Sequence, residues 1–213
     1  SEMCIRDRDM IVPMMYYRRS DFYPFVSTWL EQSGQRNMVA GLGAYRLSRG
    51  EGDWNLSDIS DQIVYVRKQG GKGCAFFRAG FVIGNEKGLY NELKNRFFKY
   101  PAQLPPLTWM STTPAAPCEP QEVHVTRERG GLRLRWEGAP DCIYTLYYAQ
   151  ADSIDLASAR SILATGIRAN EWFLPINADA EREYTFCVTA SNRYRIESRP
   201  SRATYYYFSR YDK

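Results

Sequence analysis

The sequence predicts two structural units of different class, an α/β half followed by an all-β half. Up to about residue 100, apolar runs of strand length alternate with amphipathic helical periods. Over about the last 90 residues, short alternating strands are separated by turn signals. Between them stands Thr112-Thr-Pro-Ala-Ala-Pro-Cys-Glu-Pro120, which reads as a linker because proline continues neither a helix nor a central strand. The 213 residues, 44% hydrophobic and 15% aromatic, suffice for one large core or two small ones. Basic residues number 28 and acidic 24, and the whole excess lies in residues 1–112. No Lys/Arg cluster accompanies it, so nucleic acid is not an expected partner.

In the first half, Asp9-Met-Ile-Val-Pro-Met-Met-Tyr-Tyr17 is an almost continuous apolar run, as a strand buried on both faces requires. Ser20 and Asp21 offer an N-cap to a helix carrying Phe22, Phe25, Val26, Trp29 and Leu30 as far as Gly34. The second strand, Met38-Val-Ala-Gly-Leu-Gly-Ala-Tyr45, has small residues that imply a close backbone approach. A second helix from about Asn55 places Ile59, Ile63 and Val66 on one face and stops at Gly70-Gly71. The third strand is Gly73-Cys-Ala-Phe-Phe77, and a third helix spans about Glu86 to Tyr100. Such alternation predicts parallel strands with right-handed crossovers. Three units form either an open three-stranded sheet or the last part of a (β/α)8 barrel, which takes about 250 residues in full.

In the second half, Glu122–Arg127 and Gly131–Trp136 set Val123, Val125, Leu132, Leu134 and Trp136 on one face each. Further strands are expected at 144–148, 171–174, 183–190 and 203–207, which together read as an antiparallel β-sandwich. Tyr205-Tyr-Tyr207 alternates faces on the last of them.

No stretch approaches the roughly 18 apolar residues of a membrane span, and the charged opening residues lack the apolar core of a signal peptide. The five cysteines form no CxxC pair and no cluster with the one histidine, so no metal site and no cofactor are expected. His124 faces away from Val123 and Val125, and is therefore expected on the surface rather than in a catalytic centre. Gly41-x-Gly43 lacks the third glycine of a dinucleotide fingerprint.

Two resemblances sharpen this reading. The second half resembles a fibronectin type III domain over about 117–208: Trp136 matches the inward tryptophan, and Tyr184-Thr-Phe-Cys-Val-Thr-Ala-Ser-Asn192 resembles a "YxFxVxAxN" strand, making Tyr184 a candidate tyrosine-corner residue. The first half resembles the C-terminal end of the glycosyl-hydrolase-like family 10 barrel of bacterial envelope proteins over about 9–112. Asp9 and Pro13-Met-Met-Tyr16-Tyr17 are similar to "DxxxPQxYW", with Met14 and Tyr17 where that family has Gln and Trp. Gly41-Leu-Gly-Ala-Tyr45-Arg46 is similar to "GxxAYR", Gly73–Phe77 to the last strand, and Tyr100-Pro-Ala-Gln-Leu-Pro-Pro106 with Trp109 to "YxxPALxPxxxW". The family's "DGxHxDDYFYP" motif, similar to a catalytic strand end, would lie upstream of residue 1.

The resemblances imply this fold class: α/β plus all-β, with the last three βα units of an incomplete TIM (β/α)8 barrel over 9–112, a linker over 113–119, a fibronectin type III-like sandwich over 120–208 and a tail over 209–213. Residues 1–8 read as a non-native leader on a truncated frame. The implied parent is a glycoside hydrolase of the envelope or cell exterior, acting on polysaccharide, with peptidoglycan glycan among its substrates.

Glycoside hydrolysis needs two carboxyl groups flanking the bond. The carboxylates after the predicted strands are Asp21, Glu51, Asp53 and Glu86, and helix capping or the helix dipole accounts for Asp21, Asp53 and Glu86. No catalytic pair is identifiable, and the chain by itself is expected to be inactive. What remains is a glycan-facing rim of Tyr16, Tyr17, Arg18, Tyr45, Arg46, Trp54, Phe77 and Arg78, since aromatic faces pack on sugar C–H surfaces and arginine donates to hydroxyls and carboxylates. The rival reading is a non-catalytic glycan- or protein-binding module, with protein contacts through the sandwich. Arg193, Arg195 and Arg199 are its candidates for an acidic partner, although a solvated loop explains them equally.

Overall fold

The computed structural model describes residues 8–110, 115–176 and 182–209. Residues 1–7 of the expected leader over 1–8, linker residues 113–114 and tail residues 210–213 lie outside them. The chain divides into two compact units, Ser1–Lys99 and Tyr100–Lys213.

The first unit has a three-stranded parallel sheet in the order β1 (Met10–Ile11), β2 (Asn37–Leu42), β3 (Gly73–Phe76). Helix α1 (Arg19–Gln32) links β1 to β2, and α2 (Leu56–Lys68) links β2 to β3. Phe22 and Val26 of α1 and Ile59, Ile63 and Val66 of α2 bury against Met38, Ala40 and Leu42. A capping box opens α2: Asn55 and Asp58 each accept from the other's backbone N–H.

The expected fold class is overturned here. The described residues hold three small sheets with few helices, mostly β, and beyond the two helical links of β1–α1–β2–α2–β3 no further helix–strand repeat of a TIM (β/α)8 barrel is seen among them. The run 9–17 is not a strand buried on both faces. Only Met10 and Ile11 pair as a strand at the sheet edge, Pro13 has no N–H to give, and Met14 is 73% exposed. The third helix is also absent as a unit. Asn85, Lys87 and Gly88 are left-handed, and the chain passes through α3 (Ala79–Ile83), a 3-10 turn (Glu86–Gly88), α4 (Leu89–Glu92) and a π-turn (Leu93–Phe97). At the first helix, Ser20 and Asp21 lie inside α1, and its N-cap residue, Arg18, makes no side-chain cap bond.

The small residues of β2 do mark a close approach. A Cβ on Gly41 would lie 2.7 Å from the Pro13 carbonyl oxygen, and the two segments exchange backbone bonds there (Gly41 N to Pro13 O and Met15 N to Gly41 O, both 2.9 Å).

Among the described residues, the second unit has two sheets. One is β4 (Gln121–Glu128), β5 (Gly131–Glu137), β8 (Glu171–Pro175); the other is ordered β10 (Thr204–Phe208), β9 (Arg182–Ser191), β6 (Ile143–Ala149), β7 (Ile162–Ile167). All pairings are antiparallel. The two sheets share one core of Leu132, Leu134 and Trp136 with Tyr144, Leu146, Phe186 and Val188. Outside, Arg133 and Arg135 bridge Glu128 and Glu171. His124 is exposed, 3.8 Å from Glu122. Tyr206 packs toward the core while Tyr205 and Tyr207 are exposed. The hydroxyl-to-backbone bond expected of Tyr184 is instead made by Tyr144, to Ala139 O at 2.8 Å; Tyr184 is buried against Phe186.

Candidate functional site

Parallel strands end on one edge of the first sheet, where open α/β sheets place their ligands. The chain after β2 and β3 is tied together there: Phe77 N donates to Leu42 O (2.9 Å) and Tyr45 N to Phe77 O (3.1 Å). Tyr16 lies flat on Phe77 (centroids 5.8 Å, 16°), and Tyr45 meets both edge-on at 5.5 and 5.9 Å. Phe77 is 50% exposed and precedes Arg78 through a cis peptide. Burial, and then Tyr45, push the Tyr16 hydroxyl above its usual range.

Arg46 lies over Tyr45 (5.0 Å) and donates from Nη1 to Glu51 O (3.0 Å), while its Nε is buried with no hydrogen-bond partner among the described residues. Arg78 stands 4.0 Å from the Glu51 carboxylate. Tyr16, Tyr45, Arg46, Phe77 and Arg78 thus form one platform, and Glu51 joins it.

The other three rim residues lie apart from it. Tyr17 stacks on Phe25 of α1 at 4.8 Å, and its carbonyl accepts from Gln62 Nε2 (2.7 Å). Trp54 is 5% exposed and belongs to the core, so it presents no face to a ligand. Arg18 covers Trp54 at 5.5 Å and pairs with Asp58 (3.1 Å), which also takes Arg19 (3.3 Å) and the Asn55 N–H (2.9 Å). Sequence reasoning places Phe25 on the apolar face of the first helix rather than against Tyr17, and gives no sign of Gln62. Asp58 had a signal, the Asn-x-x-Asp spacing of a capping box.

The nearby carboxylates serve as counter-ions. Lys87 Nζ donates to Asp53 and to Trp54 O (2.9 Å). This hydrogen bond, and then the lysine charge, hold Asp53 below its ordinary 3.8, whereas a glycosidase's general acid needs the opposite shift. A folded-state value below the unfolded one stabilises the fold above the unfolded value, and the gain is lost as pH falls through the lowered one. In Lys87→Met, Asp53 is expected to titrate closer to 3.8 in a carboxyl-detected NMR titration. An unmoved midpoint would eliminate Lys87 as the cause.

Among the described residues no group of three His, Cys, Asp or Glu could hold a metal ion. Burial raises the Cys74 and Cys187 thiols to about 11, away from the reactive thiolate range. No described helix is long and apolar enough to cross a membrane.

No protein-family model matches the chain. It is distantly similar to a glycosyl hydrolase. That relative is the glycosyl hydrolase YngK of Bacillus subtilis (strain 168), 26% identical over 221 aligned residues that cover 93% of this chain and 41% of the relative. The chain therefore spans about two fifths of the relative's length. Among solved structures, the FN5 domain of Drosophila Lar is 14% identical with TM-score 0.34, covering 43% of this chain and 96% of that one. A β-1,2-glucanase from Parabacteroides distasonis is also 14% identical, with TM-score 0.32 and coverages of 43% and 12%. At such TM-scores neither likeness carries a fold assignment.

Proposed function

We propose that the first unit binds a polysaccharide on the Tyr16–Tyr45–Phe77 platform, as one wall of the substrate cleft of a glycoside-hydrolase-like protein, and that this chain does not itself hold the catalytic carboxylate pair. The half-exposed Phe77 ring, backed by Tyr16 and flanked by Arg46 and Arg78, carries the reading. It offers a C–H-binding face with guanidinium donors beside it. Similarity to a glycosyl hydrolase across both units supports a glycan ligand. Asp53 and Asp58, held as counter-ions, support a wall rather than a catalytic centre. The proposed substrates are envelope or extracellular polysaccharides, peptidoglycan glycan strands included, met outside the cytoplasm.

Calorimetric titration with soluble glycan oligosaccharides of these classes tests this. Phe77→Ala is expected to weaken binding by about tenfold, the equivalent of roughly 1.4 kcal/mol. Undiminished affinity in that variant would overturn the platform. Reducing-sugar release by the chain alone would overturn the non-catalytic assignment.

A further inference from the structure

The three clustered arginines of the second unit have separate surroundings. Arg193 donates to the Tyr194 hydroxyl and lies over that ring at 4.7 Å. Arg199 is exposed and borders the same depression as Glu119. Arg195 lines a cleft of about 90 Å³ on the outer face of the four-stranded sheet.

The cleft is built rather than incidental. Thr145 of β6 and Ser191 of β9, both more than nine-tenths buried, line it with Thr165 of β7. Gln103 of the proline-rich 101–106 segment borders it and is fixed from Nε2 by Thr145 Oγ1 (3.2 Å), Tyr147 Oη (2.8 Å) and Glu197 Oε1 (2.7 Å). The nearby carboxylate is already occupied, since Glu197 Oε1 also accepts from Tyr147 (2.9 Å) and Thr189 (2.6 Å). Arg195 has no ion-pair partner among the described residues, and its φ of 60° is a left-handed conformation that a non-glycine residue adopts at a cost. An unpaired cation, the buried Ser191 hydroxyl, the exposed Thr165 hydroxyl and local backbone strain therefore coincide. Leu104 and Ile143 supply an apolar side.

We propose that this cleft binds one carboxylate group carried on a small organic acid or a single acidic sugar. The carboxylate meets the Arg195 guanidinium and the hydroxyls of Thr165 and Ser191, and the C–H body packs against Leu104 and Ile143. At about 10–15 Å³ per water, the space holds roughly six to nine waters, and at about 30 Å³ of liquid volume each these match a small organic acid or one sugar ring and not an oligosaccharide. The site is independent of the platform in the first unit.

The test is a ¹H–¹⁵N NMR titration of the whole chain at constant ionic strength with acetate, glucuronate and glucose. Saturable shifts at the Thr165, Ser191 and Arg195 amides are expected with a carboxylate ligand and not with glucose. Saturation by glucuronate alone assigns an acidic sugar, and saturation by acetate as well assigns a simple acid. Shifts that rise linearly with every ligand, or that glucose reproduces, overturn the proposal. Arg195→Gly suits the left-handed backbone, so its Tm should be no lower while affinity falls at least tenfold. Thr165→Val, leaving the charge in place, should fall by less. Unchanged affinity in Arg195→Gly would also overturn the proposal.

Discussion

Phe186→Ala is expected to destabilise the second unit by about 3–5 kcal/mol, the range for emptying a fully buried aromatic site. Phe186 lies near the middle of β9, between β10 and β6, with no exposed surface and with Tyr184 stacked on it at 5.7 Å. Leu134 and Trp136 belong to the opposite sheet of the same core. These positions are fixed by regular ladders, so the walls cannot close in on the missing ring, and the cavity term adds to the lost transfer energy. A domain of ordinary stability holds about 5–15 kcal/mol, so this one ring represents a large share. Urea denaturation followed by amide NMR would show an earlier transition in 121–208 with that of 37–42 unmoved. A loss under about 1 kcal/mol would mean that the two sheets pack more loosely than their shared core implies.

The antiparallel half was the more legible of the two, for a physical reason. Alternation with period two is a local signal that survives whatever the strand pairs with, so residue order alone places Val123, Leu132, Leu134 and Trp136 in the interior, where they lie. β7 escaped because Gly166 is left-handed and its pairing with β6 is irregular, which breaks the alternation. In the first half, the two helices with clean apolar faces were legible to within a few residues. The run 9–17 was not: apolar content says that a segment can be buried, whereas burial depends on a neighbour in space. Pro13 and an edge position left Met10, Val12 and Met14 in solvent.

The site shows the same division. Which aromatic residues lie near strand ends follows from chain order, and Tyr16, Tyr45 and Phe77 do meet. How each side chain turns does not follow. Trp54 and Tyr17 are both aromatic and both follow strands, yet one lies in the core with Arg18 over it and the other pairs with Phe25. Side-chain direction depends on backbone dihedrals such as the extended ones of Arg18, which residue order does not fix.

Gly41→Ala joins the fold of the first unit to its site and should harm both. The added Cβ would lie 2.7 Å from the Pro13 carbonyl oxygen and 3.2 Å from Met14 Cα, both backbone atoms that cannot rotate aside. The 13–15 segment must therefore move off β2. Overpacking of this kind costs about 1–3 kcal/mol. Loosening the two backbone bonds between Gly41 and Pro13–Met15 adds about 0.5–1.5 kcal/mol for each one lost. Tyr16 follows Met15 directly, so the same shift lifts its ring from Phe77. The expected result is a first unit weakened by about 3 kcal/mol and a saccharide affinity that falls with the platform, while the second unit's transition stays in place. Gly50→Ala is the control: nothing lies within 4 Å of its added Cβ, so stability and binding should hardly change. If Gly41→Ala unfolds no earlier than Gly50→Ala, the close approach of 13–15 to β2 does not exist, and Tyr16 loses the support that sets it against Phe77.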